Sequence, residues 1–269
     1  MQPSVASAVH ARHAVTVQGS GEPTLVLVHG LGCDQHIWSA LAPRFAADHR
    51  VVTFDLMGVG HSERTQYDPK RHATLEGYAQ DLIDVVRSLD GPPPVVIGHS
   101  LGGTIALLAT SIDPTYAAKL VAIVVSPRYL DEPPHYRGGM TPADVRDVLA
   151  TMDQNFVGWA GAFSSVVAPQ SDAARTMHDA LTSSDPFTTR HLAELVFSFD
   201  LRPLLPGVAL ETLVLRSQND PIIPPEASEH LSRSLPRARS VTLPVPGHCP
   251  HISHPQLVEA AVRAFLAER

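Results

Sequence analysis

The chain has 269 residues, 44% of them hydrophobic and 17% charged, with a formal net charge of −7, enough apolar material to bury a sizeable core and enough polar surface to keep it in solution. The negative balance and the lack of any block of Lys and Arg argue against a partner with a phosphate backbone, and Cys33 and Cys249 are too few for a disulfide framework or a metal set of their own. The longest aliphatic run, Leu120 to Val125, is far short of the ~20 residues of a membrane span, and the first twenty residues show no apolar secretory segment, so a cytoplasmic protein is expected, with neither nucleic acid nor membrane as partner.

Ala14 to Gln18 reads as an antiparallel edge strand. Thr24 to His29, Arg50 to Phe54 and Val95 to Gly98 are short runs of aliphatic and β-branched residues, as strands buried on both faces are. Between them "TLEGYAQDLIDVVRSL" places Leu75, Tyr78, Ala79, Leu82, Val85, Val86 and Leu89 on one helical face. Leu120 to Ser126, Glu211 to Ser217 and Arg239 to Leu243 extend the strand series. Pro255 suits the first position of a last helix with Leu257, Val258, Ala261, Val262, Phe265 and Leu266 inward. Strands alternating with helices imply an α/β fold with a mostly parallel sheet and a site at the carboxyl ends of its strands. The alternation stops from Pro127 to about Pro206, where four helices (Ala143 to Gln154, Phe156 to Val167, Asp172 to Leu181, Thr188 to Phe199) predict a helical cap over residues 127–206, inserted into a core of 1–126 and 207–269.

In "VVIGHSLGGTIALLA", Gly98, Ser100 and Gly102 form G-x-S-x-G between a buried strand and an apolar helix, the context that makes a serine at a tight turn a nucleophile rather than a helix cap. A serine hydroxyl needs a base, and the base an orienting group. Asp220 follows the strand Glu211 to Ser217, and His248 follows Arg239 to Leu243, giving the order Ser, Asp, His expected on such a sheet. Acyl transfer further needs two donors for the oxyanion. The N–H of Leu101 is one, and the loop "VHGLGCDQHIW" offers Leu31 N–H as the other, with His29 structural.

His248, His251 and His254 recur at intervals of three and invite a metal reading. Pro250 removes a helical donor and Pro255 pushes His254 to extended backbone, so the three rings are expected to diverge, with His251 and His254 packing and capping near the last helix. No metal and no cofactor are expected.

The stretches "HGLGCDQHIW", "DHRVVTFDLMGVGHS", "SPRYLDEPPHYRGGM", "NFVGWAGAF", "VFSFDLR" and "GHCPHISHP" resemble the α/β-hydrolase superfamily over essentially the whole chain, and within it the bacterial stress-regulator hydrolase RsbQ and the plant strigolactone and karrikin receptors. The resemblance implies the α/β-hydrolase fold, a four-helix cap over a deep apolar pocket, and a triad of Ser100, Asp220 and His248. It also implies a substrate pocket formed by Leu31, Tyr129, Trp159, Phe163, Val196 and Phe197. Leu31 stands where the family often has phenylalanine, which reshapes the pocket floor. The expected activity is hydrolysis of a small, largely apolar ester or lactone through an acyl-enzyme. The alternative is a small-molecule sensor that signals to a partner protein.

Overall fold

The computed structural model describes residues 4–268. In chain order the elements are α1 (Val5–Arg12), β1 (Thr16–Gln18), β2 (Leu25–Val28), α2 (Ala42–Phe45), β3 (Val51–Thr53), α3 (Leu75–Arg87), β4 (Val95–His99), α4 (Leu101–Ile112), β5 (Lys119–Ile123), α5 (Pro142–Gln154), α6 (Phe156–Val167), α7 (Ser171–Ser183), α8 (Pro186–Ser198), β6 (Glu211–Asn219), α9 (Pro225–Ser234), β7 (Ala238–Pro246), α10 (Pro250–Ser253) and α11 (Pro255–Leu266). The strands form one sheet in the order β1-β3-β2-β4-β5-β6-β7. Only β1 runs antiparallel, pairing Val17 with Val52. The others are parallel, in a register that aligns Val26 with Val52 and Val96, and Val121 with Leu213.

The central strands β2, β3 and β4 are buried at every position, because helices cover both faces, and this is why their sequences are near-continuous apolar runs. β7, at the sheet edge, alternates burial toward its end and carries Pro244 and Pro246, residues that an edge strand tolerates because it need not donate on both sides. That alternation takes it three residues past the end expected at Leu243. β5 stops early instead. Val124 takes φ +48°, unusual for a β-branched residue, and turns the chain out of the ladder before Ser126.

α5 opens on a capping box in which Thr141 and Asp144 satisfy each other's backbone donors, and α8 opens on Asp185 with Pro186 at its first position. α5 to α8 follow one another between β5 and β6 with no strand among them. The two chain ends of this helical segment are tied together at its root: Arg128 reaches Asp200 at 2.6 Å, and Arg202 binds both Asp200 at 2.7 Å and Glu132 at 2.5 Å. The Arg202 guanidinium also lies over the Tyr136 ring, 4.6 Å from its centre.

Two expectations are corrected. Pro250 does not prevent a helix but begins one, since the first helical position needs no donor. His254 stands at the cap position of α11 without a side-chain cap bond, its Nδ1 meeting the Ser253 hydroxyl at 2.9 Å. Among the described residues no helix is long and apolar enough to cross a membrane.

Candidate active site

The turn from β4 to α4 is set by what glycine leaves out. A Cβ on Gly98 would lie 2.5 Å from the Gly103 backbone, and one on Gly102 would lie 2.2 Å from the Val28 carbonyl oxygen and 2.6 Å from that of His29. Both contacts are backbone against backbone and cannot be relieved by a rotamer. Gly102→Ala is therefore expected to cost about 3 kcal/mol or more of stability, read as a shift of the urea midpoint; a midpoint within error of the parent would refute this packing account. Held between these glycines, Ser100 adopts φ +49°, ψ −116°, a conformation that costs a non-glycine residue about 1–3 kcal/mol.

Ser100 holds the cap position before α4, but its hydroxyl does not cap the helix. It meets His248 Nε2 at 2.9 Å, and His248 Nδ1 meets Asp220 Oδ2 at 2.8 Å. The other Asp220 oxygen accepts the backbone N–H groups of Ile222 at 2.8 Å and Ile223 at 3.1 Å. The carboxylate is thus fixed by its own loop before it reaches the imidazole. Since a carboxylate only accepts, the His248 proton sits on Nδ1 and the Nε2 lone pair faces the serine. All three residues lie beyond carboxyl ends of parallel strands, at β4, β6 and β7.

The amides of Leu31 and Leu101 have no acceptor among the described residues. Leu101 is the first residue of α4, where the helix leaves its N–H groups free and its dipole positive. Leu31 sits in the loop after β2, which Gly32 at φ +66° carries beneath α7: a Cβ there would lie 2.2 Å from Leu181 Cδ2. His29 accepts the Leu56 N–H at Nε2 (3.0 Å) and donates from Nδ1 to the Gly30 carbonyl (3.0 Å), so both nitrogens are used in holding the loop.

A small apolar chamber of about 20 Å³ adjoins Ser100 and His248, and Leu31, Tyr129, Phe163, Val196 and Phe197 line it, five of the six positions expected there. Trp159 does not reach it. One helical turn before Phe163, its ring stacks behind that of Phe163 at 5.1 Å and 16° and backs the wall instead of forming it. Val167, Met177, Ile222 and Cys249 also line the chamber. Val167 continues the stripe of Trp159 and Phe163, whereas Met177 comes from α7 and has no local signal in the sequence. Burial pushes the Tyr129 phenol's pKa up, the nearby Ser100 hydroxyl opposing it first.

The end of α6 is fastened to the loop that carries His248. The His248 N–H donates to the Val167 carbonyl at 2.6 Å, and Gly247, at φ +92°, lets Pro169 approach where a Cβ would be 2.8 Å from its Cδ. From below, His99 Nε2–H donates to the His248 carbonyl at 2.9 Å. His251 is fully buried, its ring 4.1 Å from that of His99 and 4.8 Å from that of Trp38. The three evenly spaced histidines therefore serve separate ends.

Burial lowers the pKa of His251 to about 3, helped by His248, and drives His99 well below the ordinary histidine range, helped by His251 and His248. Unfolded, such groups titrate near 6.5. Between pH 6.5 and about 3 the unfolded chain binds protons that the folded chain refuses, so this stability is complete above pH 6.5 and is lost as the pH falls. The unfolding free energy is expected to fall from pH 7 to pH 5 by up to ~1.4 kcal/mol per pH unit per histidine, read from urea titrations, and His251→Phe should flatten that slope. An unchanged slope in the variant would place the effect elsewhere.

Residues 25–261 match the model of the alpha/beta hydrolase family. Among curated proteins, the karrikin insensitive 2 receptor CA of Petunia hybrida is 34% identical over 93% of this chain and 94% of its own. The pimeloyl-(acyl-carrier protein) methyl ester esterase of Aromatoleum aromaticum is 30% identical over 90% and 98%. Among solved structures, a hydrolase from Oleispira antarctica superposes with a TM-score of 0.94 at 28% identity, covering 98% of both chains. With the family model spanning strands β2 to β7 and the serine turn, the chain belongs to the alpha/beta hydrolase family.

Proposed function

We propose that this protein is a serine hydrolase that cleaves an ester or lactone of a small, largely apolar substrate through an acyl-enzyme. The observation that supports this most is the unbroken relay from the Asp220 carboxylate through the His248 imidazole to the Ser100 hydroxyl, with both links under 3 Å and an apolar chamber at its end. His248 Nε2 takes the Ser100 proton as Oγ attacks the carbonyl carbon. The amides of Leu31 and Leu101 receive the oxyanion. The imidazolium, stabilised by Asp220, protonates the leaving oxygen, and a water activated by the same nitrogen releases the acid. Every step is proton transfer and acyl transfer, so the scheme calls on no cofactor.

Named esterases among the relatives agree with this reading. Others are named as receptors, but a sensor that signals to a partner protein requires a docking surface that nothing in this site argues for. Its direct test is labelling with a fluorophosphonate and mapping the adduct by mass spectrometry. Modification at Ser100 is expected; an unlabelled Ser100 in folded protein that still hydrolyses esters would overturn the proposal.

The lining suggests a size filter. Phe163 narrows the chamber from α6, and Phe163→Ala is expected to shift preference from acetyl toward longer acyl p-nitrophenyl esters by about tenfold in relative kcat/KM, in line with the value of a few methylenes in an apolar pocket. An unaltered chain-length profile would remove Phe163 from the specificity wall.

A further inference from the structure

Outside the catalytic relay, two loops bring Asp34, His36 and His61 together, with one donor atom from each within 4.8 Å of the others. We propose that these three residues form a binding site for a divalent transition cation of the zinc, copper or nickel type. Two imidazoles and one carboxylate suit borderline metals and not magnesium or calcium, which take oxygen sets.

The site is held in place from beneath. Asp55 is fully buried at the end of β3, and its two carboxylate oxygens accept the backbone N–H of Gln35 at 2.8 Å and of His61 at 2.7 Å. One buried group thus pins both histidine-bearing loops. Gly60 completes the approach: at φ +55° it passes where a Cβ would lie 2.5 Å from Asp55 Oδ2 and 2.8 Å from Asp34 Cβ. Asp34 caps the 3-10 turn Gln35–Trp38 by accepting the His36 N–H at 2.8 Å. This leaves His36 Nδ1 3.1 Å from Asp34 Oδ1, close to the ~3.3 Å edge of a tetrahedron with metal bonds of about 2.0 Å.

The imidazoles of His36 and His61 are mostly exposed and their rings are 5.8 Å apart, so they can close on an ion by rotation of side chains that no core packing holds. Both also border a surface cavity of about 340 Å³ beside Thr16 and Thr53, which gives the ion an aqueous approach and leaves a coordination position open to water. None of the three side chains takes part in the proposed hydrolysis, although Asp34 lies three residues beyond Leu31 in the same loop. Sequence spacing conceals the set, because His61 is 25 positions from His36 and belongs to a different turn.

The test uses the full chain after chelator treatment, titrated calorimetrically with zinc, with magnesium as control and cobalt(II) as a spectroscopic probe. One equivalent of zinc is expected to bind, with a rise in Tm, a cobalt visible spectrum of four- or five-coordinate type, and no response to magnesium. His36→Ala and His61→Ala, both at exposed positions, should each weaken zinc binding by about tenfold or more while leaving p-nitrophenyl acetate turnover at the parent level. Absence of saturable zinc binding by the parent, or binding by both variants at the parent's affinity, overturns the assignment.

Discussion

Ser100→Ala is expected to lower p-nitrophenyl ester turnover by about 10⁶-fold if the three side chains act as a unit, with the fold intact. The substitution keeps the backbone, leaves the Leu31 and Leu101 amides in place, and removes only the oxygen that His248 Nε2 meets at 2.9 Å. Stability separates this chemical loss from damage. The strained turn at φ +49° is relieved by glycine and not by alanine, so Ser100→Gly should be equally inactive yet more stable than Ser100→Ala by about 1 kcal/mol. Turnover by the alanine variant at the parent rate would end the serine mechanism, and equal midpoints for the two variants would show that the turn stores no strain.

Asp220→Asn should reduce kcat by about 10⁴-fold, for a reason the loop makes specific. Asp220 Oδ1 already accepts two backbone N–H groups, from Ile222 and Ile223. An asparagine would keep its carbonyl oxygen there and turn its NH2 toward His248 Nδ1. That nitrogen would then have to accept, the ring proton would move to Nε2, and the imidazole would present a hydrogen to Ser100 where it needs a lone pair. Asp220→Ala forces no tautomer and should be no worse than Asp220→Asn. Comparable activity of Asp220→Asn and the parent at neutral pH would show that the tautomer is not set by this residue.

Much of this architecture could be read from residues alone. Buried parallel strands such as Val95–His99 have few alternatives to a near-continuous apolar run, and α6 is legible from Phe156 to Val167. The serine turn was legible because its glycines and its strand-to-helix setting are local. What escaped depends on contacts between distant segments. α1 has a weak pattern, with Val9 its buried residue. β5 was expected to run to Ser126, but Val124 turns out of the ladder, which no propensity signals. The chamber's Met177 arrives from another helix, Trp159 yields its place to Phe163 by stacking, and the convergence of His36 with His61 depends on a carboxylate buried beneath both loops. Periodicity reports which face of an element is covered; it is silent on what covers it.

The 2.6 Å bond from the His248 amide to the Val167 carbonyl links access to readiness. The chamber beside Ser100, at about 20 Å³, holds roughly one water molecule, and on the proposed function an acyl group would need its walls, Phe163 and Val167 of α6 and Met177 of α7, to yield. A shift of Val167 would pull on the very peptide that seats the imidazole. On the proposed mechanism, the wall of the chamber and the seat of the proton acceptor are thus joined mechanically through a single hydrogen bond.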